Sequence, residues 1–257
     1  MRWTTVIVML LTAGACIVGC GDSGQVARTS ILPSAAVSHS QIAASSPAKS
    51  LTRAQARLLV RAVNLRASDL PGFKVSSEKE KEPTAAKSLE HRLLHCVGGA
   101  LSGHGLAEGS SKEYERETSA ADESIESGVS VAPTAAIAAR ELQAVHDGKT
   151  QVCLSHYVTL LFRLLASSEG HGLTASPIQI SSLSLPAPGA TGDFGWRMSG
   201  TISLHGIKVP FDIDIAGFVV GQAEVTLFAA GVPEPVPTTT ERRLFALLLS
   251  RADAQGT

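Results

Sequence analysis

The most catalytic-looking string in the chain is His91-Arg92-Leu93-Leu94-His95-Cys96. Histidines four apart share one helix face, which is how a zinc protease holds its metal. That chemistry needs a glutamate directly after the first histidine, as general base on the metal-bound water. Arg92 stands there instead, a cation that cannot take the proton and repels the metal. A structural zinc site would have to recruit His104, whose neighbouring glycines describe a loop. His91 and His95 are read as half-exposed positions on an amphipathic helix, and no metal site is assigned. Ser155-His156 invites a nucleophile–base reading, but adjacent helical residues point about 100° apart and cannot pair. No Gly-x-Ser-x-Gly elbow and no phosphate loop ending in Lys-Ser or Lys-Thr is present. Asp212 and Asp214 share one face of a strand, with Glu224 across from them. Such carboxylates serve acid–base chemistry or calcium binding; the plainer reading is the wet face of a sheet. No catalytic residue and no cofactor is assigned.

The cysteines speak more clearly. Met1-Arg2-Trp3 makes a short positive start, followed by apolar runs from Val6 to Leu11 and from Ala13 to Val18. About thirteen apolar residues are too few to span a core of ~30 Å, and they suit a signal-peptide core. The run ends in Ile17-Val18-Gly19-Cys20, which resembles the lipobox of bacterial lipoproteins. That resemblance implies that the Cys20 thiol takes a diacylglyceryl group as a thioether. Cleavage then makes Cys20 the new N-terminus, with a further acyl chain such as palmitate on its amine. Cys16 is a poorer match, because Ala13 is a weak aliphatic residue at the third preceding position. The alternative is an ordinary secretory signal with a chance cysteine. Two or more acyl chains anchor stably where one is marginal. The implied location is the extracytoplasmic face of the cell membrane, lipid-anchored.

Residues 1–19 are thus expected as the signal peptide and 20–50 as a tether. Ser23, Ser30, Ser34, Ser38, Ser40, Ser45, Ser46 and Ser50 alternate there with small residues and almost no charge. Such a segment cannot bury enough apolar area to offset its ordering entropy, and its reach is roughly 30 Å. Only Cys96 and Cys153 remain for the head. In an oxidising compartment, each on the apolar side of an expected helix, they most simply form a disulfide. A reactive thiol or a metal ligand is the alternative.

The head, residues 51–253, is expected as a single α+β domain. Thr52 and Gln55 form a capping-box pattern before Ala54, Leu58, Leu59 and Ala62. Asp69 to Gly72 is a turn, and Phe73 to Val75 starts a strand. Glu78 to Glu82 reads as a solvated loop. Leu89, Leu93, Leu94 and Val97 mark a short helix stopped at Gly98-Gly99. Ile125 to Val131 is a strand, and Pro133-Thr134 opens a helix through His146 that Gly148 closes. Thr150 caps the next, with Cys153, Tyr157, Leu160, Leu161 and Leu164 on one stripe until Gly170. The last third changes period. Phe194, Trp196, Met198, Ile202 and Leu204 alternate with polar residues, Gly200 filling the one gap. Alternation resumes at Ile207 to Ile215 and at Ala223 to Leu227, giving antiparallel strands joined by tight turns. Ile178, Ile180, Leu183 and Leu185 make an earlier strand whose phase slips at Ser181-Ser182, as a bulge requires. Thr238 and Glu241 form a second capping box before Leu244, Leu247 and Leu248. The expected architecture is a curved antiparallel sheet, the C-terminal meander, with helices packed on it and a closing C-terminal helix.

The chain has 257 residues, 44% hydrophobic and 18% charged, with a net charge of −1. That mix is globular, and the balance lacks the basic field of a nucleic-acid binder. The lipobox, the Ser-rich tether, the Cys96/Cys153 pair and the strands with closing helix from Trp196 to Leu248 together resemble two families. One is the PsbP-like α+β fold of actinobacterial lipoproteins. The other is the extracytoplasmic sensor domain of mycobacterial serine/threonine kinases. Those sensors usually carry more than one disulfide; this chain has cysteines for one. The resemblance implies a non-enzymatic domain that binds a small apolar or lipidic ligand, or an envelope protein. A pocket between sheet and helices would be lined by Trp196, Met198, Phe211, Tyr157 and Leu161, for which a plain packed core is the other reading. The competing function is an envelope interaction or structural lipoprotein without ligand.

Overall fold

The computed structural model describes residues 50–76, 96, 105–168, 173–204 and 206–256. Helix α1 (Arg53–Val63) starts at the expected box: Thr52 Oγ1 accepts from Gln55 N at 3.3 Å, and Thr52 N donates to Gln55 Oε1 at 2.9 Å. Its buried stripe is Ala56, Leu59, Val60 and Val63, whereas Leu58 is 63% exposed. The expected stripe through Leu58 is therefore displaced around the helix. A short 3₁₀ turn (Ala67–Asp69) leads into β1 (Lys74–Val75). The charged loop 78–82, the helix expected over 89–97 apart from Cys96, and all three histidines at 91, 95 and 104 lie outside the described residues.

Strands β2 (Ala107–Ser110), β3 (Tyr114–Glu117) and β4 (Asp122–Val131) follow, then α2 (Ala135–His146) and α3 (Gly148–Ser168). Thr134 Oγ1 caps α2 by accepting from Ile137 N at 3.2 Å. Thr150 does not cap α3 as expected. The helix starts at Gly148, where Asp147 Oδ1 accepts from Lys149 N at 2.9 Å, and the Thr150 hydroxyl donates to Ala144 O at 2.6 Å. Next come β5 (Leu173–Ala175), β6 (Gln179–Ser182), β7 (Gly192–Leu204), β8 (Ile207–Val220) and β9 (Ala223–Val232), and α4 (Thr238–Ala254) closes the chain.

The nine described strands make one open antiparallel sheet in the order β1-β3-β4-β9-β8-β7-β5. Strand β2 pairs β4 beyond β3, and β6 pairs β7 beyond β5, so each outer position is split. Hydroxyls mend both splits. Ser111 Oγ accepts from Ser127 N at 3.0 Å, and Ser176 Oγ accepts from Thr201 N at 2.9 Å just before Pro177. The bulge expected at Ser181-Ser182 is absent, since β6 pairs regularly with β7 from Gln179 to Ser182. The slip in apolar phase marks a change of face instead. Ile178 and Ile180 join the core beneath α3, while Leu183 and Leu185 join the core beneath α1 and α4.

Helices cover both faces. On one, α1 and α4 pack on Ile125, Val129, Ala216, Phe218, Val225 and Leu227. On the other, α3 packs on Met198, Ile202, Phe211, Ile213 and Phe228, and α2 on Val219 and Phe194. Gly200 and Gly217 are empty positions that rings fill. A Cβ on Gly200 would sit 2.6 Å from the Phe211 ring, and one on Gly217 2.5 Å from the Phe194 ring. Neither ring can move without leaving its core. Overpacking of this kind costs about 1–3 kcal/mol, so Gly217→Ala should lower the unfolding free energy from urea titration by that much. Gly128→Ala, where a Cβ meets nothing within 4 Å, should leave it within about 0.5 kcal/mol.

Candidate functional site

Beneath α3, every second residue of β7 and β8 points at the helix. The five residues expected to line a pocket come together there: Tyr157 and Leu161 from α3, Trp196 and Met198 from β7, Phe211 from β8. Leu161, Met198 and Phe211 are fully buried, and Trp196, Ile180, Val209 and Ile215 form a half-buried rim around them. Phe194 tilts against Trp196 with ring centroids 5.2 Å apart. Cys153 is buried in the same cluster and is bonded to Cys96, with Cα atoms 5.9 Å apart. The expected disulfide is thus part of the structure and holds Cys96 against the apolar cluster.

The opposite face of the same strands carries charge. Asp214 sits directly across from Arg197, which donates from Nε to Oδ1 at 2.8 Å and from Nη2 to Oδ2 at 2.5 Å. One pair further out, the Ser199 hydroxyl donates to Asp212 Oδ1 at 2.6 Å. The expected wet face is only half right. Asp212 is half-buried beside the exposed Lys208 and Pro210, whereas Asp214 is buried. The edge of α4 makes the difference, since it lays Glu241 over Asp214. Glu241 is 1% exposed and takes no part in a capping box. The helix begins immediately after Pro237, so Thr238 already lies in the first turn and cannot cap it. Burial, then the hydrogen bond to Asp214 and its negative charge, push the Glu241 carboxyl up to about 9. Asp214 raises the affinity of Arg197 for its proton further. Sequence reasoning missed Glu241 and Arg197: one was absorbed into a capping pattern, the other into a polar strand face.

Glu224, expected opposite the aspartates, lies on the other face of the sheet. Counting along the ladder, Asp214 aligns with Ala229, and Glu224 sits five residues before it, an odd step that reverses the side. There Glu224 meets Glu141 of α2; burial, then that neighbour's hydrogen bond and charge, hold it at about 9. Glu126 is buried on the same face, pushed up to about 7 by burial and by Glu113, against a hydrogen bond from Ser110. Ser155 is half-buried and His156 exposed on α3, and they do not form a pair. Among the described residues no group of three or more His, Cys, Asp or Glu is arranged to hold a metal ion. Among the same residues, no helix is long and apolar enough to cross a membrane. A separate cleft of about 590 Å³ lies at the β1–β3 edge, lined by Gly72, Lys74, Glu115, Arg116, Thr118 and Ser119. It is polar and distant in sequence from the apolar cluster. Its Arg116 lies 4.5 Å over the Phe73 ring and donates to Glu123.

No family model matches the chain, and no curated protein matches it. Among solved structures, the extracellular domain of PknH from Mycobacterium tuberculosis aligns over 80% of this chain and 98% of that domain. The TM-score is 0.41 and the identity 10%.

Carboxyls raised by burial set a pH dependence of stability, Glu108 among them. Glu126, Glu224 and Glu241 keep their protons in the folded head at pH values where the unfolded chain, near 4.5, has lost them. The folded state therefore binds more protons between that value and about 7 or 9, and stability falls as pH rises through this window. Asp69 works the other way. Although burial opposes it, Arg251 and the Arg66 N–H hold its carboxyl below the ordinary value. Its contribution is lost as pH falls through that lowered value. Melting temperature should thus peak near about pH 5 and decline toward pH 9, with Glu126→Gln removing only its own share of the decline, which lies below about pH 7, and leaving that of Glu224 and Glu241. Arg197→Met, which leaves the buried Asp214 without its cation, should cost on the order of 2–3 kcal/mol in denaturant titration, the pair being partly exposed at Arg197.

Proposed function

We propose that this chain is an extracytoplasmic, membrane-tethered binding module whose ligand is small and apolar or lipidic. The observation that carries the reading is the Cys96–Cys153 bond in the apolar cluster under α3. A disulfide persists in an oxidising compartment, which agrees with the lipobox at Ile17 to Cys20. The cluster also has the composition of an apolar site: a packed floor of Met198, Phe211 and Leu161, and a half-buried rim of Trp196, Ile180, Val209 and Ile215. Because Phe211 already fills the space over Gly200, the ligand lies against the rim and beside Tyr157 rather than within the floor. The tether and the lipid on Cys20 hold this head near the bilayer, where lipidic ligands are concentrated.

Envelope protein binding is a second reading, favoured by the β1 edge. Strand β1 is the last on its side among the described residues, Val75 is half-exposed, and the polar cleft opens beside it. Exposed edges with open backbone groups accept a further strand.

Three experiments separate these claims. Replacing Cys20 by Ala should move the protein from the membrane to the soluble extracytoplasmic fraction; retention in the membrane would rule out lipid anchoring at Cys20. Cleavage at Cys20 removes Trp3 and leaves Trp196 as the single tryptophan of the two in the chain. Titrating the processed protein with palmitate should then shift Trp196 emission, and Ile180→Asp should abolish the shift. An unchanged emission together with a bare mass in native mass spectrometry would sink the ligand reading and leave the edge strand. Cys96→Ala with Cys153→Ala should cost about 4 kcal/mol for a closed loop with a sequence separation of 57.

A further inference from the structure

We propose that the contact between Glu241 of α4 and Asp214 of β8 is a proton-held latch, seating the N-terminal end of the closing helix on the sheet and releasing it toward alkaline pH. This stands whether or not a ligand binds beneath α3, because the latch lies on the opposite face.

Acid outnumbers base at this contact. Three carboxyl groups converge there: Glu241 from α4, and Asp212 and Asp214 from β8. One cation, Arg197 of β7, faces them, and its Nε and Nη2 are both given to Asp214. Asp212 is held by the Ser199 hydroxyl. The other arginines of α4 are not supplied to this point. Arg251 forks onto Asp69 at 2.8 Å, Arg243 donates to Asp69 O at 2.9 Å, and Arg242 is exposed. Neither buried carboxyl oxygen of Glu241 receives an N–H or hydroxyl hydrogen bond. An ionised Glu241 would be a buried anion without a donor, against a second anion. Carrying a proton, it becomes the donor that Asp214 accepts, and the cluster needs no further cation.

The consequence is mechanical. Leu244, Phe245 and Leu248 follow Glu241 at three, four and seven residues on one helix face, and all are buried in the core shared with α1. Taking the proton from Glu241 drives that side chain out and lifts this stripe at its N-terminal end. The far end stays held by the Arg251–Asp69 fork, so the helix swings rather than detaches.

The test is amide exchange by mass spectrometry on the full chain, comparing wild type with Glu241→Gln at matched pH so that intrinsic exchange cancels. The glutamine amide donates to Asp214 at every pH. Near pH 4, where Glu241 keeps its proton in the opened helix as well, the two should protect α4 equally. As pH rises from there toward about 9, wild-type exchange across 241–248 should gain on the variant by up to about tenfold per pH unit, and the gap should level off beyond that value. Asp214→Asn frees Arg197 to pair with ionised Glu241, so it too should keep α4 protected at pH 10, and it carries the test should Glu241→Gln fail to fold. Equal exchange in wild type and variant at pH 10 would overturn the latch. So would an acceleration spread evenly over α1, α3 and α4.

Discussion

Successive residues of a strand point to opposite faces, and in β8 and β9 both faces are apolar where the sheet is thickest. In β8, Phe211, Ile213 and Ile215 point toward α3. From Ala216 onward, Ala216 and Phe218 point toward α1 and α4, while Val219 still packs with α2. Strand β9 repeats the arrangement, with Ala223, Val225 and Leu227 on one side and Phe228, Ala230 and Val232 on the other. A strand apolar on both sides cannot face water on either, so two helix layers are required. The rest follows. The outer strands are short and split because they serve only as flanks, and the charged pairs appear where each helix layer ends.

Those pairs are satisfied in a graded way. Asn64, buried at the exit of α1, donates to Gly109 O at 2.8 Å and accepts from the Ser127 hydroxyl at 2.8 Å; Ser127 also accepts from Leu65 N. Gln222, in the turn between β8 and β9, donates to the carbonyls of Ala132 and Pro133 and accepts from Leu51 N. These neutral groups tie α1, β4 and α2 to the sheet with no charge to solvate. The carboxyl clusters are different. Each sets more acid than base in a buried place, and the imbalance makes the folded head responsive to protons.

The meander was legible in the sequence because Trp196, Met198, Ile202 and then Ile207 to Ile215 alternate with polar residues. The same pattern failed at 216–220, where Ala-Gly-Phe-Val-Val shows no alternation because both sides are covered. Strands β2 and β3 were not legible. Ala107-Glu108-Gly109-Ser110 and Tyr114-Glu115-Arg116-Glu117 have little apolar content and are strands because β4 offers them a ladder. Glu241 was misread for a related reason: three residues after a threonine, glutamate is a common helix-start signal, and only burial against Asp214 gives it another role. The five residues expected around a pocket were brought together because each stood on an apolar phase that the fold respects. Which of them is fully buried and which forms the half-buried rim is set by tertiary packing, and no periodicity encodes that.

The pairing of β4 with β9 joins residues about a hundred positions apart: Asp122 to Val232 at one end, Val131 to Ala223 at the other. Hairpins β7–β8 and β8–β9, by contrast, close over tight turns. Loop-closure entropy therefore favours the meander as the first structure to form, a template on which the earlier half assembles. As the chain is synthesised, β2 and β3 emerge with β4 and can pair with it, but the other edge of β4 belongs to β9. That edge stays open until the last third of the chain arrives. A polypeptide built this way remains threadable for most of its length, and its folding is timed by its own C-terminal end.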